Sequence, residues 1–430
     1  MHGARMSRGL AATALAASLA VGATAGVAAQ DEEVSLSYLV TDVQFDLATG
    51  LVDAYTEMHP NVKIDIEIAP GGEELDNLVK TRLATGEMND IFFYNSGSLM
   101  QAINPTEVLI DLSGEAFMDN VAESFQATVT AGDGIYGVPT GTAMGGGILY
   151  NRVVYADLGL EVPTTWDEFA ANNEIIKEAG IAPVAQTYFD AWTAQLFILA
   201  DYYNVNAAEP GFADAYTVNE ASYSDTPAAL AGFERLQEGF DKGWWQEDFG
   251  SASFEDGLNL LVEGQVAHYP MLTFAAGNVS LTHPDKVGDI GFFAQPGDDA
   301  EMNGATIWMP SATYIPKTTE NVEAALGFLG FIASVEGTEA QSTGVPPSGP
   351  YPIKGAVLPA DAPQVAHDTQ AYLENDAAYP ALEFVSPVKG PSLPQITVEV
   401  GSGLRSAVDA AALYDQDVEK QAKQLGLEGW

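Results

Sequence analysis

The chain has 430 residues, of which 60 are Asp or Glu and 16 are Lys or Arg, and its formal net charge is −44. Carboxylates spread along the whole chain predict an acidic, solvated surface, exclude a nucleic-acid partner and favour a neutral or cationic ligand over an anionic one. The absence of cysteine excludes disulfides, zinc–thiolate sites and a cysteine nucleophile.

The first 29 residues have the three parts of a secretory signal peptide. Arg5 and Arg8 come first, residues 10–27 are apolar and small, and Val-Ala-Ala at 27–29 precedes an acidic stretch. We therefore expect a mature chain that begins near Gln30 and is periplasmic or extracellular. No cysteine is present to carry a lipid anchor. The alternative, an N-terminal membrane anchor, is disfavoured by the short, Ala/Gly-rich apolar run.

The next part of the chain alternates between strand and helix patterns. The hydrophobic periodicity predicts strands over residues 34–40, 62–68 and 91–94, and helices over residues 45–55 and 75–83. The order β-α-β-α-β predicts an α/β sheet with helices on its faces.

A capping box begins the next helix. The Thr165 hydroxyl can accept a hydrogen bond from a backbone amide of the first helical turn, and the Glu168 side chain can accept one from the backbone N–H of Thr165. Gly180 ends the helix. Further helical patterns cover residues 190–265, 322–332 and 402–427. The sequence has no internal repeats and no low-complexity linker. If the chain forms two lobes, extended segments that cross from one lobe to the other would therefore join them.

The stretch YGVPTGTAMGGGILYN, residues 136–151, is the most glycine-rich candidate for a functional loop. It is not a phosphate-binding loop, because no GK[ST] follows, and it does not fit GxGxxG. GxSxG is absent, and no two histidines have the spacing of a metal site, so we expect no metal and no cofactor. Adjacent carboxylates such as Glu73-Glu74 and Asp298-Asp299 are expected by chance among sixty acids.

Aromatic residues give a more specific signal than the charged ones. Tyr94, Trp192, Phe274 and Trp308 follow strand patterns or lie at loop–helix junctions. A flat ring there could stack on the C–H face of a pyranose while a few polar groups fix the hydroxyls. For any one of these rings, packing in the core is the alternative.

Several stretches, in order, resemble one known family: HPNVKIDIEI, LVKTRLATGEMNDIFF, GIYGVPTGTAMGGGILYNRVVYADLGLEVPTTWDEF, GIAPVAQTYFDAWTAQ, FEDGLNLLVEGQVAHY and YIPKTTENVEAALGFLGFIASVEG. The family is that of the family 1, maltose-binding-protein-like, extracellular solute-binding proteins of sugar ABC importers. The stretches cover most of residues 34–350, whereas the last 70 or so residues match poorly.

The resemblance implies a fold and a domain organisation. The implied fold is α/β and two-lobed, the type II-like periplasmic binding protein fold, with hinge crossings between the lobes and a ligand cleft. The implied parts are a signal peptide (1–29), lobe one (30–139 plus about 302–355) and lobe two (140–301 plus about 356–430). On this interpretation residues 139–147 form a crossing, and their small side chains absorb the rotation on closure.

The resemblance also places the ligand contacts. The candidate ligand-binding residues are Asp42, Asn95, Ser96, Asp190, Trp192, Phe274 and Trp308. The polar members would exchange hydrogen bonds with hydroxyls, and the aromatic members would stack. Leu272-Thr273-Phe274 departs from the family pattern, which ends in Gly-x-Trp, so the stacking geometry at Phe274 differs from the usual one.

The predicted function is capture of a carbohydrate, a neutral mono- or oligosaccharide, by a monomer that delivers it to ABC transporter permease subunits. The chain is predicted not to be an enzyme. One alternative is the same fold binding a polyol or a polyamine, which the acidic composition favours. The alternative from another class is an exported glycoside hydrolase, which needs two carboxyl groups across a cleft.

Overall fold

The computed structural model describes residues 33–430. The predicted signal peptide, residues 1–29, lies outside the described residues. Within residues 33–430, no helix combines the length and the apolar character that crossing a membrane requires.

The described residues form two mixed α/β lobes. The strands of residues 33–430 are β1 (Val34–Thr41), β2 (Val62–Ala69), β3 (Ile91–Asn95), β4 (Thr130–Ala131), β5 (Gly134–Ile135), β6 (Gly137–Pro139), β7 (Met144–Asn151), β8 (Ala182–Val184), β9 (Val266–Leu272), β10 (Ile290–Ala294), β11 (Ala305–Trp308), β12 (Ser311–Tyr314) and β13 (Ala378–Pro380). The helices are α1 (Phe45–Met58), α2 (Glu73–Thr85), α3 (Ser98–Gln101), α4 (Pro105–Val108), α5 (Glu123–Thr128), α6 (Arg152–Leu158), α7 (Trp166–Glu178), α8 (Leu196–Leu199), α9 (Tyr202–Ala208), α10 (Phe212–Thr217), α11 (Pro227–Asp241), α12 (Phe254–Val262), α13 (Ala275–Thr282), α14 (Val322–Ile332), α15 (Val335–Gly344), α16 (Gln364–Glu374), α17 (Leu382–Val385), α18 (Leu393–Gly401) and α19 (Ala407–Leu425).

Lobe one is built on a five-stranded sheet, sheet one, in the order β2-β1-β3-β12-β6. β1 runs parallel to β2 and β3, and β12 runs antiparallel to β3 and β6. The predicted β-α-β-α-β order is confirmed. Apolar side chains such as Tyr38, Leu51 and Phe328 fill the space between sheet and helices. Because β1, β2 and β3 are parallel, their carboxyl ends meet at one edge of sheet one, where loops can form a site.

Lobe two is built on a six-stranded sheet, sheet two, in which β7 is central. β7 pairs antiparallel with β9 on one side and with β10 and β11 on the other, and β8 and β13 form the outer strands. The helix α7 begins with the predicted capping box, in which the Thr165 side chain and Glu168 exchange hydrogen bonds with backbone amides. Its residues Trp166 and Phe169 pack with the buried Trp244.

The chain crosses between the lobes at three places. Residues 140–143 join β6 to β7, and residues 309–310 join β11 to β12. The third crossing follows Ile353, which bridges to Val121 in lobe one, and precedes α16, which packs on β10 of lobe two. The predicted boundary near residue 302 falls before β11, which pairs in sheet two, so the second crossing comes later than predicted.

The glycine run does not have the predicted role. Within the first crossing Gly141 has φ +90°, a backbone conformation that residues with a side chain rarely adopt. Residues 145–147, however, lie inside β7 and pair with neighbouring strands. They are covered by aromatic rings, since a Cβ at 145 or 146 would lie within 3 Å of the ring of Phe292 or Trp308. The glycines make room for rings above the strand and are not part of the flexible crossing.

The last part of the chain belongs to lobe two. The helices α18 and α19 pack against α11. The short helix α17 lies against lobe one as well, because a Cβ on Gly97 would meet the backbone of Glu383 and the ring of Phe384. The C-terminal segment thus provides a contact between the lobes outside the three crossings.

Candidate ligand site between the lobes

Three aromatic rings form a cluster on lobe two beside the cleft. Trp192 lies on a single 3₁₀ turn (Ala191–Gln195), Phe254 begins α12 and Phe274 precedes α13. Ring centroids are 5.5 Å apart for Trp192 and Phe254, 6.3 Å for Trp192 and Phe274, and 5.8 Å for Phe254 and Phe274. All three rings are half-buried, so they keep apolar surface toward solvent. We call this group the aromatic cluster.

Two members of the aromatic cluster were predicted, and Phe254 was missed. The available signal was the capping box of Ser253 and Asp256, which makes Phe254 the first residue of its helix. From that position its ring lies beside those of Trp192 and Phe274.

Asp190 holds the aromatic cluster together. Its Oδ2 accepts a hydrogen bond of 2.7 Å from the backbone N–H of Phe254. This contact fixes the turn that carries Trp192 against the first turn of α12, where a carboxylate is also favoured by the helix dipole. Oδ2 of Asp190 therefore has a partner within the protein, and the predicted hydrogen bond to a ligand would be made by Oδ1.

A cavity of about 360 Å³, the first cavity, lies where the lobes face each other. Lobe one contributes Asp42 and Gln44 from the loop after β1, the first crossing contributes Thr140, and lobe two contributes Phe274 and Asn278. Asp42 is exposed, and its Oδ1 accepts from the backbone N–H of Val43 at 2.9 Å. The structure therefore brings two predicted residues, Asp42 and Phe274, to one cavity from opposite lobes.

Asn95 and Ser96 lie at the base of lobe one, next to the second crossing. The Ser96 hydroxyl donates to the carbonyl of Met309 at 2.7 Å, and its backbone N–H donates to the carbonyl of Pro310 at 2.8 Å. Ser96 is 4% exposed, so it ties β3 to the crossing and offers little to a ligand. The side chain of Asn95 is half-buried, and Asn95 does not line the first cavity.

Trp308 is placed differently from the other predicted aromatic residues. It is 4% exposed at the end of β11, and its ring lies on Gly146. Its indole N–H donates to Glu383 Oε1 at 2.6 Å. Little ring surface remains for a ligand, so Trp308 supports the floor of the cleft and orients Glu383, a residue that the sequence did not indicate.

Among residues 33–430 there is no group of three or more His, Asp or Glu side chains that could hold a metal ion. His268 is fully buried in lobe two beside the Tyr155 hydroxyl, at 2.6 Å, and burial lowers its pKa to about 3. A neutral, enclosed imidazole of this kind is part of the packing and does not face the cleft.

The chain matches a known family over most of its length. The family described as bacterial extracellular solute-binding protein matches residues 44–339. This chain belongs to the bacterial extracellular solute-binding proteins. They are binding proteins and not enzymes, so the prediction of no enzymatic activity and the predicted family resemblance are both confirmed, and the glycoside hydrolase alternative is excluded.

Relatives and solved structures of other solute-binding proteins resemble this one along most of the chain. It is 24% identical over 312 residues to the multiple sugar-binding protein of Streptococcus mutans (71% of this chain, 72% of that protein). It is 21% identical over 360 residues to the melibiose/raffinose/stachyose-binding protein MelE of Bacillus subtilis (80% of each). A chitin oligosaccharide binding protein has a similar structure, with a TM-score of 0.75, 21% identity and coverage of 91% of this chain and 99% of that one.

The structure of RafE in complex with raffinose gives the same TM-score, 0.75, at 20% identity, again over 91% of this chain and 99% of that one. At these identities the solved structures establish the fold. The predicted two-lobed α/β architecture of this solute-binding protein is confirmed, and the extracellular family places it outside the cytoplasm.

Proposed function

We propose that this solute-binding protein captures a carbohydrate between its lobes and, as a monomer, delivers it to an ABC transporter permease. The observation that carries the proposal is the aromatic cluster, which presents half-buried rings on lobe two opposite the polar loop of Asp42 and Gln44 on lobe one. An apolar ring face together with polar groups that reach hydroxyls is the combination that a sugar ring requires.

Closure of the lobes is the proposed mechanism. A ligand that contacts both lobes stabilises the arrangement in which those contacts are made together, so it shifts the population toward the closed state. The crossings at residues 140–143 and 309–310 are short, and they allow rotation without separating the sheets. The permease would then distinguish the closed, loaded protein from the open one.

The names of the relatives support the carbohydrate assignment. One is named for several sugars and another for melibiose, raffinose and stachyose. We infer the same class of ligand here, with Trp192 and Phe274 stacking on the sugar. Its hydroxyl groups would form hydrogen bonds with Asp42, Asn95 and Asp190.

A cationic ligand such as a polyamine is a second candidate, because one observation favours it. The first cavity is lined by three carboxylates, Asp42, Asp46 and Glu255, beside the ring of Phe274. Converging carboxylates and an aromatic face can attract an ammonium group. Binding of that kind would weaken in moderate salt, whereas binding of a neutral sugar would be nearly independent of salt.

Calorimetric titration of the mature chain with neutral saccharides, polyols and polyamines tests both candidates. Trp192→Ala should weaken saccharide binding about tenfold or more, since a stacking ring contributes more than about 1 kcal/mol. Phe189→Ala is the matched control, because that ring is in the same segment but is 74% exposed. Binding of polyamines alone, or of no saccharide, would refute the carbohydrate assignment.

A further inference from the structure

A second cavity, of about 400 Å³, lies between the lobes and shares no lining residue with the first. Helices α2 and α3 contribute its wall on lobe one. The 3₁₀ turn of residues 191–195, α17 with the loop after it, and the end of α19 contribute its wall on lobe two. The two walls resemble each other, because each has a carboxylate held by an aromatic donor, a lysine paired with that carboxylate, and an exposed leucine.

On lobe one the carboxylate is that of Asp76, and the lysine is Lys80, one turn further along α2. The Tyr94 hydroxyl donates to Asp76 Oδ1, and Lys80 Nζ lies 2.6 Å from Asp76 Oδ2. Burial and the neighbouring carboxylate raise the pKa of Tyr94 well above its usual value, so the phenol remains a donor. Leu99, on α3, lines the same wall and is 38% exposed.

The wall on lobe two repeats this arrangement with different residues. The indole N–H of Trp308 donates to Glu383 Oε1 at 2.6 Å, and Lys389 Nζ lies 3.2 Å from Glu383 Oε2. The side chains of Glu383 and Lys389 are 23% and 29% exposed, so both are partly desolvated. The leucine of this wall is Leu425, the last residue of α19, which is 40% exposed.

Gln195, on the lobe-two side, lacks a hydrogen-bond donor. Its Oε1 is buried and accepts no hydrogen bond from the described part of the chain. Buried acceptors of this kind are rare in native proteins, because an unmade hydrogen bond is costly. A lysine ammonium has three protons to donate. Lys80 uses one of them on Asp76 and lines the same cavity from the opposite lobe.

The charges of the two walls are complementary. The chain has 60 Asp or Glu against 16 Lys or Arg, so two facing surfaces of this protein would ordinarily both be acidic and would repel each other. Here each wall has one carboxylate–lysine pair. If the walls moved together, each lysine would meet a second carboxylate, and a network of charges contributes more than isolated surface pairs. The two exposed leucines would leave water in the same step.

From this arrangement we infer that the second cavity is a gap that disappears when the lobes close, because its two walls dock directly on each other. In the docked state Lys80 reaches Glu383 and Oε1 of Gln195, Lys389 reaches Asp76, and the two leucines pack together. We call this contact the closure seam. It rests on the closure that is part of the proposed function, but it joins protein to protein and has no place for a ligand.

The closure seam acts on binding through the equilibrium between open and closed protein. A contact made only in the closed state raises the closed fraction, and the apparent affinity for a ligand rises with that fraction. Lys80→Met should therefore weaken binding of a neutral saccharide about twofold to fivefold in calorimetric titration, as expected for a partly exposed ion pair. Lys63→Met is the matched control, because Lys63 pairs with Asp65 at 2.6 Å on the exposed surface of lobe one.

Disulfide trapping detects the docked state directly, and the absence of natural cysteines makes an intramolecular disulfide unambiguous. Leu99→Cys and Leu425→Cys are combined in one chain, since a disulfide requires Cα atoms within about 7 Å of each other. The pair should cross-link under mild oxidation, and a saturating neutral saccharide should accelerate the reaction. Leu99→Cys with Leu404→Cys is the control pair, because Leu404 is 78% exposed on lobe two and does not line the second cavity.

A saccharide that binds but leaves the cross-linking rate unchanged, or lowers it by occupying the cavity, would overturn the closure seam and leave the proposed function intact. A Lys80→Met variant that binds saccharide as tightly as the unmodified chain would overturn it as well. Failure of every saccharide to bind would refute the proposed function. The closure seam would still be tested in that case, since it requires the unliganded pair at 99 and 425 to cross-link faster than the control pair.

Discussion

Alanine at Gly146 would place a methyl group against the indole of Trp308. An ideal Cβ at this position lies 2.1 Å from Cζ3 of the ring, 2.8 Å from Cε3 and 2.9 Å from Cη2. The ring has little freedom to retreat, because it is 4% exposed and its N–H is held by Glu383. The strand has little freedom either, since Gly146 pairs with both Thr306 and Leu272.

The expected cost follows from two opposing effects. Forcing an extra carbon into a packed core destabilises by about 1–3 kcal/mol. Removing a glycine from the unfolded chain returns about 0.4–1 kcal/mol. We expect Gly146→Ala to lower the free energy of unfolding by about 1–2 kcal/mol, measured by urea denaturation followed by circular dichroism.

Two variants make the interpretation specific. Gly114→Ala is the control, since a Cβ there meets no atom within 4 Å and its φ is not in the left-handed region; its stability should be unchanged or slightly higher. In a Trp308→Leu background the additional cost of Gly146→Ala should disappear, which a double-mutant cycle measures. If Gly146→Ala proves as stable as Gly114→Ala, the glycine run is not there to make room for the rings.

Two further predictions concern buried ionisable residues in lobe two. His268 has a pKa of about 3 in the folded protein against about 6.5 in the unfolded chain, so the free energy of unfolding should fall by about 1.4 kcal/mol per pH unit between pH 6.5 and 3. His268→Gln should lose this part of the acid sensitivity, as thermal unfolding at pH 7 and pH 5 would reveal, and an unchanged pH dependence would contradict the assignment. Arg235 pairs with Asp201, and their side chains are 6% and 1% exposed. Arg235→Met should cost about 3–5 kcal/mol, because it removes the cation paired with a buried carboxylate and leaves the Asn204 amide as its donor, and adding Asp201→Asn should recover part of that loss in urea denaturation. No recovery would show that the cost comes from packing and not from charge.

Much of the fold could be predicted because its signals are local. The alternation in β1 and β2, the helical spacing of α14 and the capping box of α7 are each contained in one short segment, and the structure confirms all of them. The role of residues 145–147 could not be read in this way. The same three glycines are compatible with a flexible crossing and with a strand covered by aromatic rings. Trp308, whose ring covers Gly146, is more than 150 positions further along the sequence.

The candidate site was predictable in part for the same reason. Trp192 and Phe274 follow recognisable strand or turn patterns, and they lie together beside the cleft. Glu383 lies in a four-residue helix without periodicity, so nothing local marks it as a cleft residue. Trp308 was predicted from its position at a strand end, but position alone does not reveal which face of the strand carries the ring. These contacts depend on tertiary packing between distant segments.

Lobe one is assembled from stretches of chain that lie far apart in sequence, and this affects how the protein folds. The hydroxyls of Thr140 and Thr313 are hydrogen-bonded although they are 173 positions apart, because β12 inserts between β3 and β6. A chain synthesised from its N-terminus must therefore complete residues 144–308 of lobe two before sheet one can close. Until then β3 presents an unpaired edge, the kind of surface that promotes aggregation, and closing so long a loop slows folding. The large negative charge would oppose such aggregation, because incomplete chains of the same sign repel one another.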